Sequence, residues 1–184
     1  MTGLIVSSVV ILILVYMYNS LISRKNEVEN IFASVDAILK KRFDLIPNLV
    51  SSVQQYMSHE KDLLEKITQW RSQAMKPDLS DEQKIELDQK MSGALDSIMV
   101  AVENYPDLKA NENIMHLQRT LTEVEAQISA ARRAYNQAVT DYNNTIEMFP
   151  TNIMANMMYY TRKTVFETAE TERQNVNVKE LFNN

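Results

Sequence analysis

The chain has 184 residues, with two glycines, four prolines, eleven methionines and no cysteine, and its 19 Lys+Arg against 24 Asp+Glu give a formal net charge of −5. Without cysteine there are no disulfides, thiolate metal sites or cysteine nucleophiles. Scarce glycine speaks against phosphate-cradling loops and hairpin-rich β folds, and the acidic balance speaks against nucleic acid as a partner.

No charged side chain occurs from Met1 to Ser23, and Arg24 is the first. An uncharged helix of about 20 residues reaches the ~30 Å of a hydrocarbon core. Residues 1–23 are therefore expected to be a transmembrane anchor. Leu4, Ile5, Val9, Ile11 and Leu14 are its apolar body, and Tyr16 and Tyr18 sit at the interface. The competing reading is a cleaved signal peptide, which needs positive charge ahead of the apolar run; Met1-Thr2-Gly3 carries none beyond the amino terminus. Arg24, Lys25, Lys40, Lys41 and Arg42 all follow the span. That asymmetry predicts a cell-membrane protein with its N-terminus outside and its body in the cytoplasm.

After the span, Val28, Phe32, Val35, Leu39, Arg42, Ile46, Leu49, Val53, Tyr56, Glu60, Leu63, Ile67, Trp70 and Ala74 recur at steps of three and four. This is one stripe of helical period, and its phase survives Pro47. It predicts a single long helix kinked at Pro47, which cannot bond the carbonyl four residues earlier. The alternative is a helix end near Phe43, with Asp44 capping a new helix. Lys76-Pro77-Asp78 is a break, and Ser80 with Gln83 reads as a capping box opening a helix to about Asn104. Tyr105-Pro106 is a second break, before a helix from about Leu108 to Met148. Phe149-Pro150 is a third, with Thr151 a candidate cap for a short helix. Strand-like alternation is absent. Long amphipathic helices joined by short breaks bury their stripes together. The expected architecture is all-α: a transmembrane helix, then an antiparallel four-helix bundle over 24–161, then a partly irregular tail over 162–184.

Several stretches carry a resemblance. They are Arg24-Lys25-Asn26; the block from Asp36 through Arg42-Phe43-Asp44-Leu45-Ile46-Pro47-Asn48-Leu49-Val50; His59-Glu60; Tyr105-Pro106-Asp107-Leu108; Ala131-Arg132-Arg133-Ala134-Tyr135-Asn136; Tyr142-Asn143; and Phe149-Pro150. In order and spacing these resemble the LemA family, from about Tyr18 to Phe166. The resemblance implies a bacterial single-pass membrane protein with an external N-terminus, a four-helix bundle and no established biochemical activity. Met157-Met158-Tyr159-Tyr160 stands where a glycine-containing aromatic stretch would be expected, and Gln174–Val178 lacks an expected proline.

Catalytic motifs are missing. His59-Glu60 is followed by Leu63 where a zinc protease needs its second histidine. The residues three before His59 and His116 are Tyr56 and Asn113, so the Glu-x-x-His spacing of a di-iron bundle fails. The chain is read as a non-enzyme without cofactor or metal. What stands out is polar side chains on an apolar stripe, Arg42 and Glu60, about 27 Å apart on a straight helix. Each needs a partner on a facing helix. For Arg42 the candidates are Asp36, Asp44 and Glu112; for Glu60 they are Arg119, Arg132 and Arg133. Arg42, Asp44, Pro47, Asn48, His59, Glu60, Glu112, Arg132, Arg133 and Asn136 form the candidate polar network or interaction set. Two roles follow. One is a membrane-tethered scaffold that associates with itself or another membrane protein through an exposed patch at Met154, Met157, Met158, Tyr159 and Tyr160. The other is a tethered binding or sensing domain with a polar pocket around Arg42, Asp44, His59 and Glu60.

Overall fold

The computed structural model describes residues 1–57 and 59–166. These residues form six helices and no strand: α1 (Thr2–Val53), α2 (Lys61–Ala74), α3 (Asp81–Val102), α4 (Pro106–Lys109), α5 (Glu112–Glu147) and α6 (Thr151–Met157). Residues 167–184, including Gln174–Val178 and most of the expected tail, lie outside the described residues.

At 52 residues α1 is about 78 Å long. It is long and apolar enough at its N-terminal end to cross a membrane. Every side chain from Met1 to Tyr16 is exposed, including Leu4, Ile5, Val9, Ile11, Leu14 and Tyr16; Tyr18 is exposed as well. Burial begins at Met17 and Leu21 and continues along Val28, Phe32, Val35, Leu39, Arg42, Ile46, Leu49 and Val53, the expected stripe.

Pro47 lies inside α1, so the helix is not broken at Asp44. Proline withholds the N–H that Phe43 O would otherwise accept. Arg71 of α2 supplies the replacement, its Nε donating to Phe43 O at 2.9 Å. The helix survives its proline because the neighbouring helix satisfies the freed carbonyl.

The stripe does not run unbroken to Ala74, as its period suggested. α1 ends at Val53, and the chain turns back before α2. Tyr56 and Met57 both donate backbone N–H to Val53 O, and the fully buried Met57 plugs the turn. No glycine or proline marks this reversal, which is why the pattern alone missed it. The turn lets Leu64 and Ile67 bury against the bundle.

Ser80 caps α3 through the reciprocal box with Gln83, as expected. The helix expected from Leu108 divides: α4 is one turn, and Asn111 then caps α5 by accepting from Asn113 and Ile114 N–H. Thr151 is not a cap. Pro150 occupies that position, and the Thr151 hydroxyl donates back to Met148 O and Thr145 O at the end of α5.

Cross-helix pairs give the directions. Arg24–Asp141 and Arg42–Glu125 run α5 antiparallel to α1, Asp36–Lys84 and Arg42–Asp88 run α3 parallel to α1, and Arg132–Asp88 runs α5 antiparallel to α3. One core threads α1, α2, α3 and α5 and closes on α6 at the span end.

Candidate functional site

Midway up the bundle, α1, α3 and α5 each send charge inward. Arg42 and Asp88 are both 0 % exposed. Asp88 Oδ1 pairs with Arg42 Nη2, and its Oδ2 accepts from Arg132 Nη2 and from Arg132 Nε at 2.9 Å. Arg42 Nη1 reaches Glu125 at 2.9 Å and Ser92 Oγ at 2.8 Å. Arg132 Nη2 donates to the same Ser92 Oγ at 3.0 Å. Arg42 Nη2 also donates to the Asp88 carbonyl at 3.3 Å. Two guanidiniums thus face two carboxylates, so the clasp neutralises itself. Planar forks suit this use, because each can bond several acceptors at once. Arg42 Nε is buried with no partner among the described residues.

A cavity of about 220 Å³ borders the clasp, lined by Arg42, Ser92, Asp96, Gln118, Thr122 and Glu125 among others. Partial burial raises the Asp96 carboxyl above its ordinary value and Glu125 adds to the rise, with Arg42 acting against both.

Towards the span the interior becomes aromatic. Tyr135 packs against a tilted Phe32 ring at 5.4 Å and edge-to-face with Phe166 at 5.3 Å, and Arg132 lies over the Phe166 ring at 5.6 Å. Burial pushes the Tyr135 hydroxyl up to about 12, with Asp81 and Glu82 contributing. Phe166 belongs to an extended segment, residues 161–166, that α5 holds with side-chain amides. Asn136 accepts from Phe166 N–H at 2.8 Å and donates to Phe166 O at 2.9 Å. Asn143 does the same for Lys163, at 2.9 and 3.0 Å. Seven helical residues rise about 10 Å, as do three extended ones, so two asparagines two turns apart meet the backbone at Lys163 and Phe166. Tyr142 adds a bond to Thr161 O at 3.1 Å.

The candidate set is thus spread along the molecule. Arg42 and Arg132 meet through Asp88, and Asn136 lies one turn along α5 from Arg132. Glu60, half-buried beside α2, accepts from the Tyr105 hydroxyl at 3.0 Å instead of an arginine. Arg42 pairs with none of Asp36, Asp44 or Glu112. Asp36 takes Lys84, Asp44 takes Lys40 on the same exposed face, and Glu112 is exposed in the first turn of α5. Asn48, His59 and Arg133 are exposed, and Arg133 donates to Ser129 Oγ one turn back on α5. Pro47 acts through Arg71, as described. Arg42, Asp44, His59 and Glu60 therefore do not converge on one pocket.

Sequence reasoning overlooked Asp88, Ser92 and Glu125, and it met Asn143 only within the family resemblance. A signal for Asp88 existed: Ile85, Asp88, Met91, Leu95, Ile98 and Val102 form the α3 stripe, and Asp88 interrupts it as Arg42 interrupts that of α1. Glu125 precedes Arg132 by two turns on one face of α5. Among the described residues no three His, Asp or Glu side chains gather as a metal site.

On the outside, a groove of about 860 Å³ opens between the end of α1 and α2, lined by Val50, Gln54, Met57, Leu64, Thr68 and Ser72 among others. At the span end, Met148, Phe149, Ile153, Met157 and Tyr159 are exposed.

Comparison with known proteins gives the chain a family. The family model described as LemA family matches residues 31–179. The protein LemA of Metamycoplasma hominis is 30% identical over 165 residues, covering 90% of this chain and 75% of that protein. Magnetosome proteins MamQ 1 and MamQ 2 of Paramagnetospirillum magneticum are 32% identical over 74 residues, 40% of this chain and 27% of each of theirs. A family match over most of the chain, with a relative aligned along nine-tenths of it, means that this chain belongs to the LemA family.

Proposed function

We propose that this chain is a membrane-tethered helical scaffold, a rod that holds an interaction surface away from the bilayer. In this reading residues 1–23 are the anchor, 24–161 the bundle and 162–184 a tail, with the N-terminus outside and the body cytoplasmic. The observation that carries it is the contrast between inside and outside. Inward charges are spent on one another in the Arg42–Asp88–Arg132–Glu125 clasp, whereas a largely apolar groove stands open at the end of α1 far from the span. A continuous α1 couples that groove to the anchor, which suits positioning better than turnover. The partner is a helix of a second copy or of another membrane protein, since grooves between helices accept amphipathic helices.

In-cell photo-crosslinking from Gln69, on the groove, tests this in the full chain. A defined adduct from Gln69, absent from exposed Val100 on α3, is the expected outcome. A monomer with no adduct from either position would sink the scaffold. Protease access in intact cells tests topology: cleavage of the body from outside contradicts the cytoplasmic placement.

A second reading, a binding or sensing domain, is favoured by the 220 Å³ cavity that Arg42 helps line and by the buried Arg42 Nε, which has no partner among the described residues. A small polar ligand there would raise the melting temperature of wild type and not of an Asp96→Leu, Thr122→Leu variant that fills the cavity.

A further inference from the structure

Among the described residues no element covers the α5–α6 elbow, and its position along α1 identifies what does. Arg24 and Asp141 are bridged at 3.6 Å, so they lie at one level. Seven more residues carry α5 about 10 Å to Met148, which is then level with Met17 on the antiparallel α1. Met17 is the first buried residue of α1, and α6 packs on α1 at this end. Below it every α1 side chain is exposed and none is charged. A span of about 20 residues from Thr2 reaches its upper hydrocarbon boundary near Leu21. The elbow therefore stands at the depth where Tyr16 and Tyr18 of α1 face outward.

Beside the exposed Asn156, the large side chains that face outward at that depth are Met148, Phe149, Ile153, Met157 and Tyr159. Ile153 and Met157 lie one turn apart on one face of α6, and Phe149, on the elbow that precedes the helix, is 81% exposed. Tyr159 adds an independent observation. α6 ends in a Schellman motif: Tyr160 N–H bonds Ala155 O at 3.0 Å and Tyr159 N–H bonds Asn156 O at 3.1 Å. That motif puts Tyr159 at φ 55°, a left-handed conformation that favours glycine. Yet the residue is a tyrosine, and it is 90% exposed among the described residues. A ring held exposed in a costly conformation points to a use outside the bundle, and tyrosine favours the membrane interface. Residues 148–161 carry no charge, and the charges that flank them in sequence, Glu147 and Arg162, pair with one another at 2.6 Å.

We infer that the α5–α6 elbow is a second membrane contact, an apolar ledge of Phe149, Ile153, Met157 and Tyr159 seated in the interfacial layer of the leaflet that α1 crosses. The inference rests on the reading of α1 as a membrane span. With the ledge in place the bundle has two points of contact with the leaflet, which restricts its tilt about the anchor.

The full chain has no native cysteine, so a single introduced cysteine labels one site. Ile153→Cys, Met157→Cys, Ile13→Cys and Val100→Cys, each carrying an environment-sensitive fluorophore, are reconstituted in phosphatidylcholine vesicles containing nitroxide lipids. Quenching at positions 153 and 157 is expected to exceed that at 100 several-fold, to be strongest with nitroxides near the headgroup, and to persist in high salt. Position 13 is quenched best by nitroxides deep in the chain. Quenching at 13 with only aqueous quenching at 153 and 157 overturns the ledge and leaves the anchor standing. No lipid quenching at 13 overturns the anchor and the ledge with it. Loss of quenching at 153 in high salt replaces apolar seating with an electrostatic contact and overturns the proposal. Disulfide-linked dimers through position 153, shielded from both quenchers, assign the face to a second copy and overturn it too.

Discussion

From Thr2 to Tyr16 every side chain of α1 is exposed, and most are apolar; from Met17 to Val53 the same helix hides its apolar side chains at steps of three and four and turns every charge but Arg42 outward or part-way out. Backbone geometry is common to both halves, so what differs is the solvent each requires. The first half needs an apolar medium all round, whereas the second makes its own from α2, α3 and α5. Arg42 marks how far the second half departs from lipid logic. A guanidinium is tolerated inside it because three other polar side chains travel with it.

Asp88→Ala should break this contrast most severely, by leaving two guanidiniums with the Glu125 carboxylate alone. The expected loss is about 3–5 kcal/mol, read by chemical unfolding of the detergent-solubilised full chain, against less than about 1 kcal/mol for Asp44→Ala on the exposed face. In the other half, Leu12→Arg places a charge mid-span at a cost of about 2.5–3.5 kcal/mol for insertion. The chain should shift from the membrane to the soluble fraction of cells while the bundle keeps its unfolding midpoint.

Arg71→Met sharpens the comparison within the bundle half. It strips Phe43 O of its substitute donor and should cost about 1–3 kcal/mol. Pro47→Ala returns the backbone N–H, so the same Arg71→Met should cost clearly less in that background; equal costs in a double-mutant cycle would remove the compensation argument.

The smallest effect concerns Asp96, whose carboxyl burial and Glu125 hold above its ordinary value. The folded chain then keeps that proton more tightly than the unfolded chain. Its stabilising contribution is complete below about pH 3.9, the unfolded value, and is lost as pH rises through the raised folded value. Asp96→Asn should therefore stabilise the protein at neutral pH by about 0.5 kcal/mol or less, and the gain should fade near pH 3.5. Unfolding midpoints of both proteins at the two pH values check it.

Much of this architecture could be read from residue order. The uncharged start, the stripe from Val28 to Val53, the Ser80 box and the breaks at Pro77, Pro106 and Pro150 all express local physics: periodicity, capping and the missing proline N–H. The reversal between α1 and α2 was not legible, because it is held by two bonds to Val53 O and a buried methionine rather than by glycine or proline. Nor were the partners of Arg42. A polar residue on an apolar stripe announces that a partner exists, and the facing helix's register selects which one.

Sequence alone determined that this protein is a set of amphipathic helices behind an apolar leader, since hydrophobic period, charge placement and caps act between residues a few positions apart. Only the tertiary structure decided that Asp88 and Glu125 answer Arg42, that Arg71 repairs the helix at Pro47, and that Asn136 and Asn143 grip the segment ending at Phe166. Those choices depend on how one helix slides and turns against the next. A shift of one residue moves each side chain about 1.5 Å and 100°, enough to undo every one of these contacts.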